Sequence, residues 1–248
     1  MHNKVDTQSA PPQSGAAVPA PAPLTVSLVI PARNEVGSLP NVLRELPMDL
    51  LLEVLVIDGH STDGTADAVR ALNLPKVRVV TQHGRGFGMG IQTGIGEARG
   101  DLVTIYDADG SYNPAGIGEM YKAINAGNDF VFCSRYRPES GSEDDTLIRL
   151  LGNTIFTFLL RLMFRVQLSD ALYYYCMGKK SAYQYVDPRA SDFALCIEVP
   201  IKVHRMGFRY TEIPMRERPR TAGESKVNAM WDGIRILKTM IKLKLTGL

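Results

Sequence analysis

The sequence contains few of the residues that mark several large classes of protein. Its three cysteines lie in apolar surroundings, without a Cys-x-x-Cys pair or a histidine at ligand spacing, so neither a disulfide framework nor a zinc site is indicated. Its four histidines are scattered, and a formal net charge of +2 is too small to indicate a nucleic-acid-binding protein. We therefore expect a packed protein of a reducing compartment, with no nucleic acid among its partners.

Long uncharged apolar runs are also missing. Residues 1–23 are rich in Pro, Ala, Ser and Gln, which predicts a disordered tail, and they lack the apolar segment of a secretory signal. The most hydrophobic stretch, at 147–166, is interrupted by Arg149, Arg161 and Arg165, whereas a spanning helix needs about 20 mostly uncharged residues. We expect residues 24–248 to form one domain that does not cross a bilayer.

Three common motifs of nucleotide-binding proteins and hydrolases are absent. The glycine cluster HGRGFGMG, at 83–90, has no G-x-G-x-x-G spacing and does not follow the first predicted strand, which argues against a nicotinamide enzyme. The segment GKKS, at 178–181, lacks the glycine that a phosphate-binding P-loop requires. No G-x-S-x-G nucleophile motif occurs, so an α/β-hydrolase is not indicated either.

What the sequence does contain is a regular alternation of apolar β-branched runs and helical patterns from residue 24 to residue 135. The pattern predicts a mostly parallel sheet flanked by helices, and such sheets bind ligands at the carboxyl ends of their strands. A polar motif follows each of the five predicted strands. In chain order these motifs are RNE, DGHSTDG, HGRG, DADG and SRYRP.

Asp107 and Asp109 form the most informative of these motifs. Residues two apart on an extended chain point the same way, and two carboxylates at one place repel each other unless a cation lies between them. Mg²⁺ or Mn²⁺ bound by one or two carboxylates typically completes its coordination with substrate phosphates, which predicts a nucleotide-diphosphate site. The alternative is a turn that caps the next helix.

Two other motifs have equally plain structural alternatives. Asp58 would lie at the end of the second strand, where its carboxylate can accept hydrogen bonds from a base or ribose, or it serves only a β-turn. Arg33, Asn34 and Glu35 offer more polar groups than a helix cap requires, so Glu35 is a candidate nucleotide contact.

The second half of the sequence is richer in basic residues set among apolar ones. In the C-terminal segment, Trp231, Ile234, Leu237, Met240 and Ile241 recur at helical spacing with lysines and an arginine between them. Such a helix either packs in the core or lies on a membrane surface, and the segment 147–166 offers the same two possibilities.

Five segments occur in a recognisable order along the chain: VSLVIPARNE, LEVLVIDGHSTDGT, GRGFGMGIQTGIGEARGD, YDADGSYNP and RTAGESK. Taken together they resemble the GT-A glycosyltransferases of family 2, and among them the polyprenyl-phosphate (dolichol-phosphate) mannose and glucose synthases. The resemblance extends from about residue 24 to residue 245. It implies a Rossmann-like GT-A fold, with a nucleotide-sugar-binding half at 24–135 and an acceptor-binding, membrane-associating half at 136–248.

The resemblance also implies roles for individual residues. Those matching the family's nucleotide-binding positions are Pro31, Arg33, Glu35, Asp58 and Arg85. Asp107 and Asp109 match the D-x-D motif that holds Mg²⁺ or Mn²⁺ on the diphosphate. Arg220, Ser225 and Lys226 match an element that closes over the diphosphate and the acceptor phosphate, and Arg135 lies where the family places an arginine at the end of the fifth strand. The residues implied to be catalytic are Asp109, Arg135, Arg220 and Lys226.

The family chemistry implied is inverting transfer of mannose or glucose, from GDP-mannose or UDP-glucose, to a polyprenyl phosphate. The lipid phosphate is already an anionic nucleophile, so no strong general base is required. The segments at 147–166 and at the C-terminus would hold the enzyme peripherally at the cytoplasmic, inner face of the membrane. Two rivals stay open: a family 2 enzyme with a soluble or polysaccharide acceptor, and a nucleotidyltransferase that releases pyrophosphate.

The sequence departs from the family pattern on the acceptor side. Tyr173, Tyr174 and Tyr175 follow Asp170, and we expect them to narrow or repolarise the acceptor pocket. Glu198 lies near a family glutamate of the acceptor side, and a buried structural carboxylate paired with Arg205 or Arg209 is the alternative.

Overall fold

The computed structural model describes residues 22–143, 146–222 and 229–247. Residues 1–21 of the predicted tail, and the predicted site residues Ser225 and Lys226, lie outside the described residues.

Between residues 24 and 135, strands and helices alternate as the apolar pattern predicts. The strands are β1 (Val26–Ala32), β2 (Glu53–Asp58), β3 (Val77–Thr81), β4 (Leu102–Ile105), β5 (Phe130–Ser134), β6 (Gly141–Ser142), β7 (Cys176–Lys179), β8 (Tyr210–Pro214) and β9 (Arg216–Glu217). The α-helices are α1 (Leu39–Glu45), α2 (Thr65–Ala71), α3 (Phe87–Glu97), α4 (Ala115–Asn125), α5 (Leu147–Phe164), α6 (Lys180–Val186), α7 (Leu195–Arg205) and α8 (Ala229–Thr246).

Seven of these strands form one sheet in the order β3-β2-β1-β4-β7-β5-β8. All neighbouring pairs are parallel except those of β7, which runs antiparallel to both β4 and β5. The predicted mostly parallel α/β sheet is therefore confirmed. Strand β1 continues through Pro31 to Ala32, which pairs with Asp58.

Helices cover both faces of the sheet. Successive side chains of each strand point to opposite faces, and apolar side chains on both faces pack against helices. In β1, Leu28 and Ile30 belong to one apolar cluster and Val29 belongs to the other, and all three are buried. The first cluster includes apolar side chains of α1, α2 and α4, and the second includes those of α3, α5, α6, α7 and α8. With both faces covered, the polar groups of the parallel strands become accessible at the strand ends.

Helix α5 buries Leu160 and Phe164 in the core together with two polar residues, and its exposed side is mostly apolar, unlike that of a typical surface helix of a soluble protein. Asn153 and Thr157 are buried, and their side-chain oxygens accept hydrogen bonds from the backbone N–H groups of Leu172, at 3.0 Å, and Ala171, at 3.1 Å. The outer side exposes seven large apolar residues. They are Leu147, Ile148, Leu150, Leu151, Ile155, Phe158 and Leu162.

Helix α8 packs against α5 and α7. Ile236, Met240 and Leu243 are its buried apolar residues, whereas Trp231 and Ile241 are exposed. The apolar positions predicted to form one face are therefore divided between the core and the surface. Of the described residues, α5 alone is long and apolar enough to cross a membrane by length and composition, with a mean hydropathy of 1.5.

The three cysteines, Cys133, Cys176 and Cys196, are buried and unpaired, in agreement with the absence of a disulfide framework predicted from the sequence.

Candidate active site

A cleft of about 770 Å³ opens at the carboxyl ends of β1, β2, β3 and β4. The loops that follow these strands form one side of it, as expected for a parallel sheet. Of the described residues that the sequence singled out, the cleft brings together Pro31, Arg33, Glu35, Arg85, Asp107, Asp109, Arg135, Tyr173, Tyr174 and Arg220.

The carboxylate pair lies just beyond the end of β4. Asp107 accepts a hydrogen bond from the N–H of Ala108, at 2.8 Å, and Asp109 accepts one from the N–H of Ser111, at 2.9 Å. Gly110, between Asp109 and Ser111, has a φ of +85°, a left-handed conformation that glycine adopts without strain. The tight turn thus fixes both carboxylates at the wall of the cleft.

The carboxylate pair carries more negative charge than its surroundings favour. Burial raises the pKa of Asp107 to about 7, and the neighbouring Asp109 carboxylate adds to the increase, while the Ala108 N–H and Arg220 act against it. A bound cation would relieve this repulsion.

The donor set fits Mg²⁺ or Mn²⁺ shared with a phosphate ligand. Both side chains offer hard oxygen ligands, and in the described part of the chain no cluster of three or more His, Cys, Asp or Glu side chains could enclose a metal by itself. The remaining ligands would then come from water and substrate phosphates, which is how Mg²⁺ is commonly held.

A short segment, residues 216–222, crosses over the carboxylate turn, and we call it the strap. Arg220 Nη1 lies 3.1 Å from Asp109 Oδ2, and the N–H and Oγ1 of Thr221 both donate to the Asp109 carbonyl oxygen at 3.0 Å. The N–H of Arg218 donates to the carbonyl oxygen of Ser111 at 2.8 Å. These contacts place the predicted diphosphate-binding Arg220 directly on the predicted metal ligand.

Arg135 lies in the cleft wall but is held by two buried carboxylates. Its Nε and Nη2 donate to Asp170, at 2.7 and 3.0 Å, and its Nη1 donates to Glu217 of the strap at 3.2 Å. The ring of Tyr173 lies 4.7 Å from its guanidinium carbon. Burial lowers the pKa of Arg135, but the two carboxylates outweigh this effect and keep the pKa above its ordinary value. The guanidinium therefore ties the end of β5 to the strap.

The tyrosine run is divided between two environments. Tyr173 and Tyr174 line the cleft, as expected for residues that narrow it, and their buried hydroxyls have no hydrogen-bond partner among the described residues. Tyr175 does not line the cleft, which corrects the prediction for this residue. Its hydroxyl donates to the Asn113 carbonyl oxygen at 2.9 Å, and its ring packs against Gly116 of α4.

The loops after β1 and β2 are tied together beside the predicted nucleotide positions. Asn34 accepts a hydrogen bond from the N–H of Thr62, at 2.8 Å, and its own N–H donates to Ser61 Oγ, at 3.0 Å. Asp58 accepts from the N–H of Ser61, at 3.3 Å, and does not itself line the cleft, although Gly59 and His60 do.

Glu198 is a structural carboxylate. Its oxygens accept hydrogen bonds from the N–H groups of Arg189, at 3.0 Å, and Ala190, at 2.6 Å, and lie 2.7 Å from Lys202 Nζ. The prediction of Arg205 or Arg209 as its partner is wrong, because the cation beside Glu198 is Lys202, and the Arg205 guanidinium donates to the Leu243 carbonyl oxygen of α8. Lys202 is one helical turn beyond Glu198, so the pairing is a local one within α7.

The far side of the cleft is formed by the N-terminal parts of α5 and α8. Ile148, Arg149 and Phe156 of α5 line it, together with Arg235 and Ile236 of α8. The same two helices carry exposed apolar side chains, so the cleft lies next to an apolar surface.

Sequence reasoning missed Glu217 and Asp192 as cleft residues. Glu217 lies three residues before Arg220, so its position in the RERPR run, at residues 216–220, was the available signal. Asp192 lies 3.7 Å from Arg235 of α8, a contact between distant parts of the chain that no local pattern records.

Comparison with known proteins gives a consistent result. A sequence model for the family described as glycosyl transferase family 2 matches residues 27–186. An uncharacterised glycosyltransferase of Mycobacterium tuberculosis is 29% identical over 209 residues, which cover 84% of this chain and 92% of that protein. An undecaprenyl-phosphate mannosyltransferase of Micrococcus luteus is 27% identical over 245 residues, which cover 86% of this chain and 98% of that protein.

Solved structures share the fold. Glucosyl-3-phosphoglycerate synthase from Mycobacterium tuberculosis, in complex with Mn²⁺, UDP and glucosyl-3-phosphoglycerate, superposes with a TM-score of 0.72 at 20% identity. The match covers 90% of this chain and 80% of that one.

Proposed function

Because the chain belongs to glycosyltransferase family 2 and is therefore a glycosyltransferase, we propose that it transfers mannose or glucose from a nucleoside-diphosphate sugar to a polyprenyl phosphate. The observation that carries the proposal is the position of the cleft. It has a carboxylate pair suited to a metal–diphosphate complex on one side, and on the other side two helices with exposed apolar residues. A substrate with an anionic head and a hydrocarbon chain matches that combination.

The donor would occupy the side formed by the sheet. Arg33 and Glu35, with Pro31, would bind the nucleotide, and Arg85 of the glycine-rich loop would approach the phosphates. Asp58 would act through the loop that it holds at Ser61. Asp107 and Asp109 would hold Mg²⁺ or Mn²⁺, which when bound supplies positive charge that stabilises the departing diphosphate.

The remaining residues would stabilise the negative charge that develops on the departing diphosphate. Arg220 would turn from Asp109 toward a diphosphate oxygen, and Ser225 and Lys226 stay predicted contacts of the phosphates. Charge-assisted hydrogen bonds of this kind, in a site that excludes water, commonly supply a large share of catalysis. Arg135, predicted to be catalytic, would support the same site by holding Glu217 of the strap.

The acceptor would enter between α5 and α8. Its phosphate oxygen attacks the anomeric carbon, that bond forms as the bond to the diphosphate breaks, and attack from the opposite face inverts the centre. The nucleophile is already an anion, so no side chain needs to remove a proton. Relatives in sequence include the undecaprenyl-phosphate mannosyltransferase described above, which supports a lipid phosphate as acceptor.

Peripheral binding at the cytoplasmic, inner face of the membrane would bring the enzyme to this acceptor. Leu147 of α5 is 84% exposed and Leu245 of α8 is 80% exposed, and both belong to helices that border the cleft. Large apolar side chains grouped with exposed lysines suit an interfacial position.

The decisive experiment uses radiolabelled GDP-mannose and UDP-glucose with Mn²⁺ and vesicles that contain a polyprenyl phosphate. We expect label in a lipid-extractable product that mild acid releases, with one of the two donors preferred. Asp109→Asn, which removes a metal ligand, should lower the rate by about 10²-fold or more, whereas Asp67→Asn on the exposed surface of α2 should not.

A soluble or polysaccharide acceptor is the remaining alternative, favoured by the two tyrosines that narrow the cleft. In that case label would stay in the aqueous phase when soluble acceptors are supplied. Release of pyrophosphate, the sign of the nucleotidyltransferase alternative, is not expected of a family 2 glycosyltransferase.

A further inference from the structure

The contact between Arg220 and Asp109 places a side-chain cation where the proposed function requires a metal ion. Arg220 Nη1 lies 3.1 Å from Asp109 Oδ2, and the side chains of Arg220 and Asp109 are 24% and 6% exposed. The guanidinium therefore offsets part of the negative charge of the carboxylate pair through its contact with Asp109.

The strap that carries Arg220 is fixed on both sides of this contact. Thr221 donates twice to the Asp109 carbonyl oxygen, and a Cβ on Gly110 would lie 2.9 Å from Thr221 side-chain atoms, so the strap packs directly on the carboxylate turn. On the N-terminal side of Arg220, Glu217 accepts hydrogen bonds from Arg135 and Ser142. The backbone of the strap is thus positioned, and the side chain of Arg220 is the part that can change partner.

Because of the contact between Arg220 and Asp109, a divalent cation bound to a diphosphate should bind the carboxylate pair more favourably than a bare divalent cation. A bare cation that binds Asp109 must displace the Arg220 guanidinium from it. The guanidinium then lies near another positive charge in a partly buried site, and this repulsion opposes binding. A cation that arrives with a diphosphate brings phosphate oxygens to which the guanidinium can donate instead, in charge-assisted hydrogen bonds.

We propose that Arg220 guards the carboxylate pair, so that the divalent cation binds together with the nucleoside diphosphate rather than alone. This inference rests on the proposed function, and it assigns to Arg220 a second task, the selection of the complex over the free ion. Removing the guanidinium should therefore move two affinities in opposite directions.

The test measures free Mn²⁺ by electron paramagnetic resonance during titration of the full chain, first with Mn²⁺ alone and then with Mn²⁺ and GDP or UDP. We expect Arg220→Gln to bind Mn²⁺ alone about three- to tenfold more tightly than the unaltered protein. The same variant should bind Mn²⁺ with nucleoside diphosphate about tenfold more weakly, since a charge-assisted contact is lost.

Arg216→Gln is the matched control, because it removes the same charge from the same strap. Arg216 is 71% exposed and faces Glu143 rather than the cleft. It should leave both affinities within about twofold, since exposed charges are strongly screened. Arg220→Lys keeps a positive charge near Asp109 and should bind Mn²⁺ alone much like the unaltered protein, so it gives a reading even if Arg220→Gln is poorly folded.

The outcomes separate the inference from the function on which it rests. Tighter binding of Mn²⁺ alone in Arg220→Gln, but not in Arg216→Gln, supports the guarding role. Equal binding in the unaltered protein and Arg220→Gln, or an equal gain in Arg216→Gln, overturns it while leaving the donor site in place. If the unaltered protein binds no Mn²⁺ with either nucleotide, the proposed function fails, and the inference fails with it.

Discussion

Glu53 joins three parts of the fold through one buried carboxylate. It accepts hydrogen bonds from Ser27 Oγ at 2.8 Å, the N–H of Arg99 at 2.7 Å and Arg78 Nε at 3.1 Å. Burial raises the pKa of Glu53, but the hydrogen bonds from Arg99, Ser27 and Arg78 outweigh it and hold the pKa below 4.5. Because the folded pKa is depressed, this stabilisation is present above pH 4.5 and is lost as the pH falls through the folded value.

We therefore expect Glu53→Gln to lower the free energy of unfolding at pH 7 by about 2 kcal/mol. The difference from the unaltered protein should shrink as the pH falls below 4.5, because the unaltered carboxylate then becomes protonated too. Denaturant unfolding at several pH values measures both effects. Glu97→Gln is the control, since Glu97 contacts the same Arg78 but is 42% exposed; an equal loss in that variant would show that burial of Glu53 is not the cause.

Single residues also show which parts of the site a sequence can predict. Asp107 and Asp109 are two positions apart at a strand end, so the pleat of an extended chain suffices to predict their common direction. The partners of Arg135 could not be predicted in that way, because Asp170 and Glu217 are 35 and 82 residues farther along the chain. The prediction that Tyr175 lines the acceptor pocket failed for the same reason. Its contacts with α4 depend on the position of β7 between β4 and β5 in the sheet.

At the scale of elements, the approach of α3 to β1 depends on a glycine. A Cβ on Gly94 would lie 2.1 Å from Val29 Cγ1, whereas a Cβ on Gly96, in the same helix, would meet nothing within 4 Å. The two glycines therefore have opposite structural roles.

We expect Gly94→Ala to destabilise the protein by about 1–3 kcal/mol, because the helix must move away from the strand. Gly96→Ala should stabilise it by about 0.5–1 kcal/mol, because alanine favours the helix. Thermal or denaturant unfolding of the two variants compares them directly, and the same sign in both would contradict this packing.

The exposed apolar side of α5 gives a second prediction at this scale. Phe158 and Leu162 are 62% and 66% exposed, so replacing them with glutamate should leave the fold unchanged. If this face enters a lipid surface, each of Phe158→Glu and Leu162→Glu should reduce binding to vesicles by about tenfold. Sedimentation with vesicles measures the effect.

The control for these variants is Leu50→Glu, at an apolar residue that is 50% exposed in the short 3₁₀ helix after α1. Its vesicle binding should match that of the unaltered protein. A uniform loss in all three variants would mean that added negative charge, and not the α5 surface, accounts for the change.

The periodicity of α8 predicted a helix but not which apolar positions it buries. Met240 is buried and Trp231 is exposed, although both belong to the predicted apolar face. Helical spacing specifies angles around an axis, whereas burial depends on where the neighbouring helices lie, and those contacts join distant parts of the chain.

For the molecule as a whole, charge near the exposed apolar helices should decide which lipids it prefers. Lys238 and Lys242 are exposed on α8. Each lysine near an anionic surface contributes about 1 kcal/mol, so replacing both with glutamine should weaken binding to anionic vesicles roughly thirtyfold.

Binding to neutral vesicles should change little in that double variant, and added salt should narrow the difference on anionic vesicles. Lys122→Gln, at a 73% exposed lysine of α4, is the control and should behave as the unaltered protein. Equal losses on neutral and anionic vesicles would point to a change in α8 itself.

The parallel direction of most strands follows from the alternation of strands and helices, but the antiparallel β7 does not. Its four residues, Cys176–Lys179, follow a tyrosine run that looks like a pocket lining rather than a strand. Only the completed sheet shows that β7 is placed between β4 and β5, where it supplies the hydrogen-bond partners of both.

That placement bears on how the polypeptide matures as it leaves the ribosome. Strand β5 emerges before either of its neighbours, β7 and β8, so it waits about forty or more residues of translation with both edges unpaired, a state prone to aggregation. A fragment that stops at residue 135 would keep the loops predicted to bind the nucleotide yet leave β5 without either of its neighbouring strands. We therefore expect such a fragment to aggregate, so that neither half would serve as a self-sufficient module for exchange between proteins.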